Sequence, residues 1–108
     1  AAAMRDIGYH FPDTAGEFKN IDSKILLRRT VALLADNGFS VGNVDITVCA
    51  ERPKLSPHID AMRECLAPLL GIPVSRVSVK ATTTEHLGFT GRREGISAYA
   101  VALIEEQG

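Results

Sequence analysis

Between Val41 and Val79 the chain changes its hydrophobic period twice, and that change limits the fold more than any other feature. From Val41 to Ala50 it alternates, with Val44, Ile46, Val48 and Ala50 on one side and Asp45, Thr47 and Cys49 on the other, the period-2 signature of a strand. A loop containing Pro53 follows. Ser56 then reads as an N-cap with Pro57 at the first helical position. Ile59, Met62, Leu66, Leu69 and Leu70 form an apolar stripe at helical spacing before Gly71 stops the helix. Val77 and Val79 open a second strand that runs into Lys80-Ala81-Thr82-Thr83-Thr84. A strand, a helix and a strand in that order return to one sheet as a parallel, right-handed βαβ unit.

The remaining segments extend this unit on both sides. Asp22 or Ser23 caps a helix running to about Asn37, with Ile25, Leu26, Val31, Leu33 and Leu34 as its apolar residues and Gly38 where left-handed geometry is wanted. Ile96 to Ile104 reads as a third, alanine-rich strand. Between Met4 and the first helix, RDIGYHFPDTAGEF has no sustained period and reads as a loop. Ala1 to Met4 reads as the last turn of a helix lacking its earlier turns, with a cloning scar as the alternative. The expected architecture is α/β, of the α+β, ferredoxin-like kind: a mixed β-sheet with helices packed on one face. With 108 residues, the chain has material for one core and one domain, residues 1–108.

Charge narrows the partners. Twelve Lys plus Arg against thirteen Asp plus Glu leave a net charge of -1, so no broad basic field recruits nucleic acid or acidic lipid, and any anion site must be built locally. Cys49 and Cys65 match no metal-knuckle or CxxC spacing and read as reduced thiols. No apolar run reaches the length of a membrane helix. The expected compartment is the cytoplasm, or a plastid-type organelle after removal of a transit peptide.

Three segments carry residues suited to chemistry. Thr82-Thr83-Thr84-Glu85 sits where a strand gives way to a loop, at the carboxyl edge where open α/β sheets bind ligands. Hydroxyls and amides there can grip phosphate oxygens, and a carboxylate can hold a hard divalent cation bridging them. The bland alternative is that threonines favour strands for packing reasons. Gly88-Phe89-Thr90-Gly91-Arg92 follows, with glycines for a tight backbone and an arginine suited to bidentate oxyanion binding, although a solvated turn would use the same residues. The second segment, Ala50-Glu51-Arg52-Pro53-Lys54-Leu55-Ser56-Pro57, leaves the first strand at the same edge; it offers Lys54 to a phosphate and backbone to a planar base, or is an ordinary connection. The third pairs Asp6-Ile7-Gly8 with Phe11-Pro12-Asp13, a loop able to hold a polyol's hydroxyls. Asp6, His10 and Asp13 make only a weak metal set, and His58 and His86 read as surface groups.

Taken together, DIGYHFPDT, AERPKLSPHI and KATTTEHLGFTGR, with Gly42-Asn43-Val44-Asp45 at the strand entry, resemble the 2-C-methyl-D-erythritol 2,4-cyclodiphosphate synthase family of the non-mevalonate isoprenoid pathway. The resemblance covers nearly the whole chain. It implies a phosphorus-oxygen lyase that assembles as a homotrimer with active sites between subunits and cleaves a cytidine diphosphate substrate with release of CMP. On matching positions Asp6, Ile7, Gly8, Phe11, Pro12 and Asp13 would hold the methylerythritol part. Ala50, Lys54, Leu55 and Ser56, with Ala81 and Thr82, would frame the CMP half. Thr83 would be the catalytic residue, beside Thr84, with Glu85 ligating magnesium or manganese. Phe89 and Arg92 would border a cavity on the trimer axis. The family's zinc ligands belong to an N-terminal segment with no counterpart here. Either that segment precedes Ala1 in the whole protein, or the chain is a truncated, non-catalytic CMP- or diphosphate-binding trimer.

Overall fold

The computed structural model describes residues 1–10, 22–50, 54–82 and 95–107. The first helix, α1, spans Ile7–His10. It is followed by α2 (Ser23–Asp36), β1 (Phe39–Cys49), α3 (Ile59–Leu70), β2 (Val77–Thr82) and β3 (Ser97–Glu106). The three strands form one sheet in the order β2-β1-β3. β1 and β2 are parallel, as a βαβ unit requires, and β3 runs antiparallel to β1 on its other side. The sheet is therefore mixed.

The helix signals work locally as their chemistry predicts. Asp22 holds extended backbone, and its carboxylate accepts the Lys24 N–H at 2.8 Å, satisfying a donor that α2 cannot pair internally. At the other end the Asn37 side chain donates to the Leu33 carbonyl at 2.8 Å, and Gly38 reverses the chain at φ +86°. Gly71 ends α3 in the left-handed region at φ +72°, where a side chain would be strained.

α3 starts differently from the expected Ser56 cap. Ser56–His58 form a 3₁₀ turn instead, with the His58 N–H donating to the Leu55 carbonyl at 2.8 Å and no side-chain cap bond. Pro57 cannot donate an N–H and tolerates this tighter entry, so the α-helix proper begins at Ile59. Two other expectations need correcting. The stretch after Met4 contains the short helix α1 rather than only loop. Ala1 to Met4 is not helical, and Ala3 and Arg5 sit at φ +55° and +71°.

Valine builds the core. Val44 and Val48 from β1, Val77 and Val79 from β2, and Ala67 and Leu70 from α3 form one buried cluster, against which Leu27, Val31 and Leu34 of α2 pack. Both helices thus cover one face of the sheet, and among the described residues the other face is open. A β-bulge between Val41 and Asn43 sets this arrangement. Strict alternation from Val44 would turn Val41 to the open face, whereas the extra residue returns it to the core, where it is 9% exposed. The residue spent there is Gly42, whose added Cβ would lie 3.2 Å from the Leu103 carbonyl oxygen.

Arg63 locks the connection between α3 and β2. Its Nε donates to the Val77 carbonyl at 2.7 Å and its Nη2 to the Val74 carbonyl at 3.0 Å, while Nη1 meets Asp60 at 3.3 Å. Arg63→Ala is expected to cost about 2 kcal/mol by stranding these carbonyls. Arg63→Lys should recover little, because an ammonium cannot span both oxygens. Urea unfolding followed by circular dichroism checks this, and an unchanged midpoint in Arg63→Ala would refute it.

Candidate functional site

Because β1 and β2 are parallel, their carboxyl ends meet at one edge of the sheet. Ala50 follows β1 directly and is 8% exposed, and its N–H donates to the carbonyl of Thr82, the last residue of β2, at 3.0 Å. That bond ties together the roots of the two segments read as phosphate- and nucleotide-binding. Lys54 and Leu55 return the chain to the same edge, and Ser56 opens the turn into α3. Lys54 and Ser56 are exposed, Leu55 packs against the core, and the Ser56 hydroxyl is not spent on capping. Ala81 is in register with Val48 and lies on the helix-facing side of the sheet. Thr82 is in register with Cys49 and lies on the open face.

Thr83, Thr84, Glu85, Phe89 and Arg92 lie outside the described residues, as do Phe11, Pro12 and Asp13. Among the described residues no three His, Cys, Asp or Glu side chains gather as a metal set.

Asp6, Ile7 and Gly8 lie elsewhere. Asp6 and Ile7 help wall a cavity of about 430 Å³ against Leu33 and Leu34 of α2 and Ala102 and Ile104 of β3. Ile104 is in register with Val41 near the start of β1 and Ala102 with Val44 at its middle, whereas the Thr82 edge lies at its end, where Ser97 pairs with Cys49. The Asp6 cavity thus lies toward the start of β1, away from the edge where Ala50 and Thr82 meet. The Asp6 carboxylate accepts the Tyr9 N–H at 3.1 Å, and the Arg5 guanidinium stacks 4.1 Å from the centre of the Tyr9 ring. These contacts brace α1.

One charged pair near the site was not legible in the sequence. Lys80 Nζ lies 2.6 Å from Oδ1 of Asp45 on the open face. Hydrogen bonding from Lys80 holds the Asp45 carboxyl below its ordinary range; the Lys80 charge and a Ser78 hydrogen bond act the same way, and partial desolvation opposes them. A depressed carboxyl pKa means the pair is intact above the ordinary carboxylate range and is lost as pH falls through the lowered value. Alternation placed Asp45 away from the core, but its partner depends on strand register.

Known proteins share this chain's sequence and fold. The 2-C-methyl-D-erythritol 2,4-cyclodiphosphate synthase of Bacteroides thetaiotaomicron is 68% identical over 98% of this chain, which spans 67% of that protein. The enzyme of the same name from Phocaeicola vulgatus is 72% identical, again over 98% of the chain and 66% of the relative. The chain thus spans about two thirds of the length of these relatives. Among solved structures, the bifunctional IspDF of Campylobacter jejuni superposes with a TM-score of 0.91 at 40% identity, over 98% of this chain and 29% of that one. A CDP complex of IspF from Plasmodium falciparum gives 0.81 at 33% identity, over 96% and 62%. The sequence pattern of one family extends across both the Asp6 segment and the tied strand ends, matching residues 1–105, and the chain belongs to that family, YgbB.

Proposed function

We propose that the protein converts 4-diphosphocytidyl-2-C-methyl-D-erythritol 2-phosphate to 2-C-methyl-D-erythritol 2,4-cyclodiphosphate with release of CMP, residues 1–108 acting as a single domain. The observation that carries this reading is the Ala50–Thr82 hydrogen bond, which joins at one sheet edge the residues from which the two proposed binding segments start. In the reaction an oxygen of the 2-phosphate attacks the β-phosphorus. The bond from that phosphorus to the bridging oxygen breaks, and CMP leaves with the electron pair. Such chemistry asks the protein for positioning and charge neutralisation more than for covalent participation.

In this reading Ala50, Lys54, Leu55, Ser56, Ala81 and Thr82 bind the CMP half. Thr83 donates a hydrogen bond to the oxygens of the reacting phosphorus, with Thr84 beside it. Asp6, Ile7, Gly8, Phe11, Pro12 and Asp13 hold the polyol. Glu85 is the donor in this chain for magnesium or manganese, while zinc would draw its ligands from outside it. Bound metal would neutralise diphosphate charge.

We further propose a homotrimer in the cytoplasm, or in a plastid-type organelle, with Phe89 and Arg92 bordering its axis. Two features support assembly. The Asp6 cavity lies toward the start of β1, away from the edge where Ala50 and Thr82 meet, so a second copy would unite the two. Tyr99, Val101 and Leu103 also form an apolar stripe on the open face of β3, 66%, 73% and 57% exposed.

Incubating the full-length protein with the substrate and following phosphorus NMR tests the activity. Cyclodiphosphate and CMP are expected to appear in equal amounts. CMP accompanied by a linear phosphate product, or CMP binding without turnover, would overturn the proposal.

A further inference from the structure

On the open face Lys80 stands between Ser78 and Thr82, so its ammonium can lean along the strand in either direction. It is in register with Thr47, yet it pairs with Asp45, two residues nearer the start of β1. The charge is thereby drawn back about 7 Å along the sheet from the edge where Ala50 and Thr82 meet. Both side chains are 56% exposed, so packing does not impose this direction. The opposite lean would set an ammonium beside Thr82. Around Asp45, Asn43, Ser75, Arg76 and Ser78 line a shallow polar depression, so a nearby arginine would still face the carboxylate if Lys80 lost its charge.

We propose that Asp45 is a positioning residue that holds the Lys80 ammonium away from the phosphate edge. Phosphate groups there then meet Lys54, hydroxyls and backbone amides without the Lys80 ammonium beside them. The inference rests on reading that edge as the CMP site. Its consequence is weaker retention of CMP, the leaving group, because a lysine at contact range would add attraction to a dianion with every turnover.

Calorimetric titration of CMP into the full-length protein tests this with Asp45→Asn, Lys80→Met and the double variant. At low ionic strength Asp45→Asn is expected to bind CMP about fivefold more tightly than wild type. The gain should shrink as salt is raised. Lys80→Met and the double variant should match wild type, because neither has an ammonium to release. A pair with only a structural role predicts the reverse, equal or weaker binding in Asp45→Asn with no reversal in the double variant, and that result would overturn the proposal. Absence of CMP binding by the wild type would instead remove the nucleotide reading on which it stands. Both substituted side chains are exposed, and a thermal melt of each variant confirms folding before titration.

Discussion

Thr83→Val is expected to lower kcat about a hundredfold while changing CMP affinity less than about twofold. The reason is differential. In the proposed role, the Thr83 hydroxyl would gain strength as a donor only as negative charge builds on the phosphoryl oxygens, and the departing nucleotide would not share that gain. Valine keeps the β-branched shape that suits a strand end and removes only the hydrogen bond. The loss corresponds to roughly 3 kcal/mol of barrier, typical for one donor in a preorganised site. Steady-state turnover and CMP titration on the same preparation separate the outcomes. Equal losses in kcat and CMP affinity would make Thr83 a binding contact and not a catalytic residue.

Val77→Asp is expected to abolish cooperative folding. Val77 is 1% exposed, lies opposite Val44 in the parallel ladder and supplies the carbonyl that Arg63 holds. Among the described residues the cluster around Val77 is entirely hydrophobic, so an aspartate side chain there would bury a charge among apolar side chains. The penalty is about 4 kcal/mol or more, close to the whole stability of a small domain. Val77→Ala, which removes volume without adding charge, should cost about 2 kcal/mol and leave a cooperative transition at lower urea. A native-like melt for Val77→Asp would show that the chain tolerates solvent at this position and that the valine cluster is not its core.

Much of the fold was legible because local chemistry agrees with tertiary structure. The Asp22 cap, the Gly38 and Gly71 stops and the valine alternation of β1 and β2 are decided within a few residues of themselves. The parallel pairing follows from the intervening helix. The misses share a cause as well. The 3₁₀ entry at Ser56, the irregular Ala1 to Met4 and the bulge at Gly42 depend on which backbone partners a segment finds, and spacing does not reveal that. β1 therefore begins at Phe39 and not Val41, and β3 reaches Glu106 and not Ile104, since Phe39 pairs with Glu106 across the ladder.

The candidate site divides in the same way. From residue types alone came the threonine run, the lysine loop and the acidic glycine turn, because phosphate, base and polyol each demand particular donors. Tertiary structure decided how they meet. Parallel strands tie Ala50 to Thr82 at one edge, Asp6 falls away from it toward the start of β1, and a diagonal reach across the ladder gives Lys80 to Asp45. Donor chemistry is a property of the residue, whereas proximity is a property of register, and register exists only once the strands have paired.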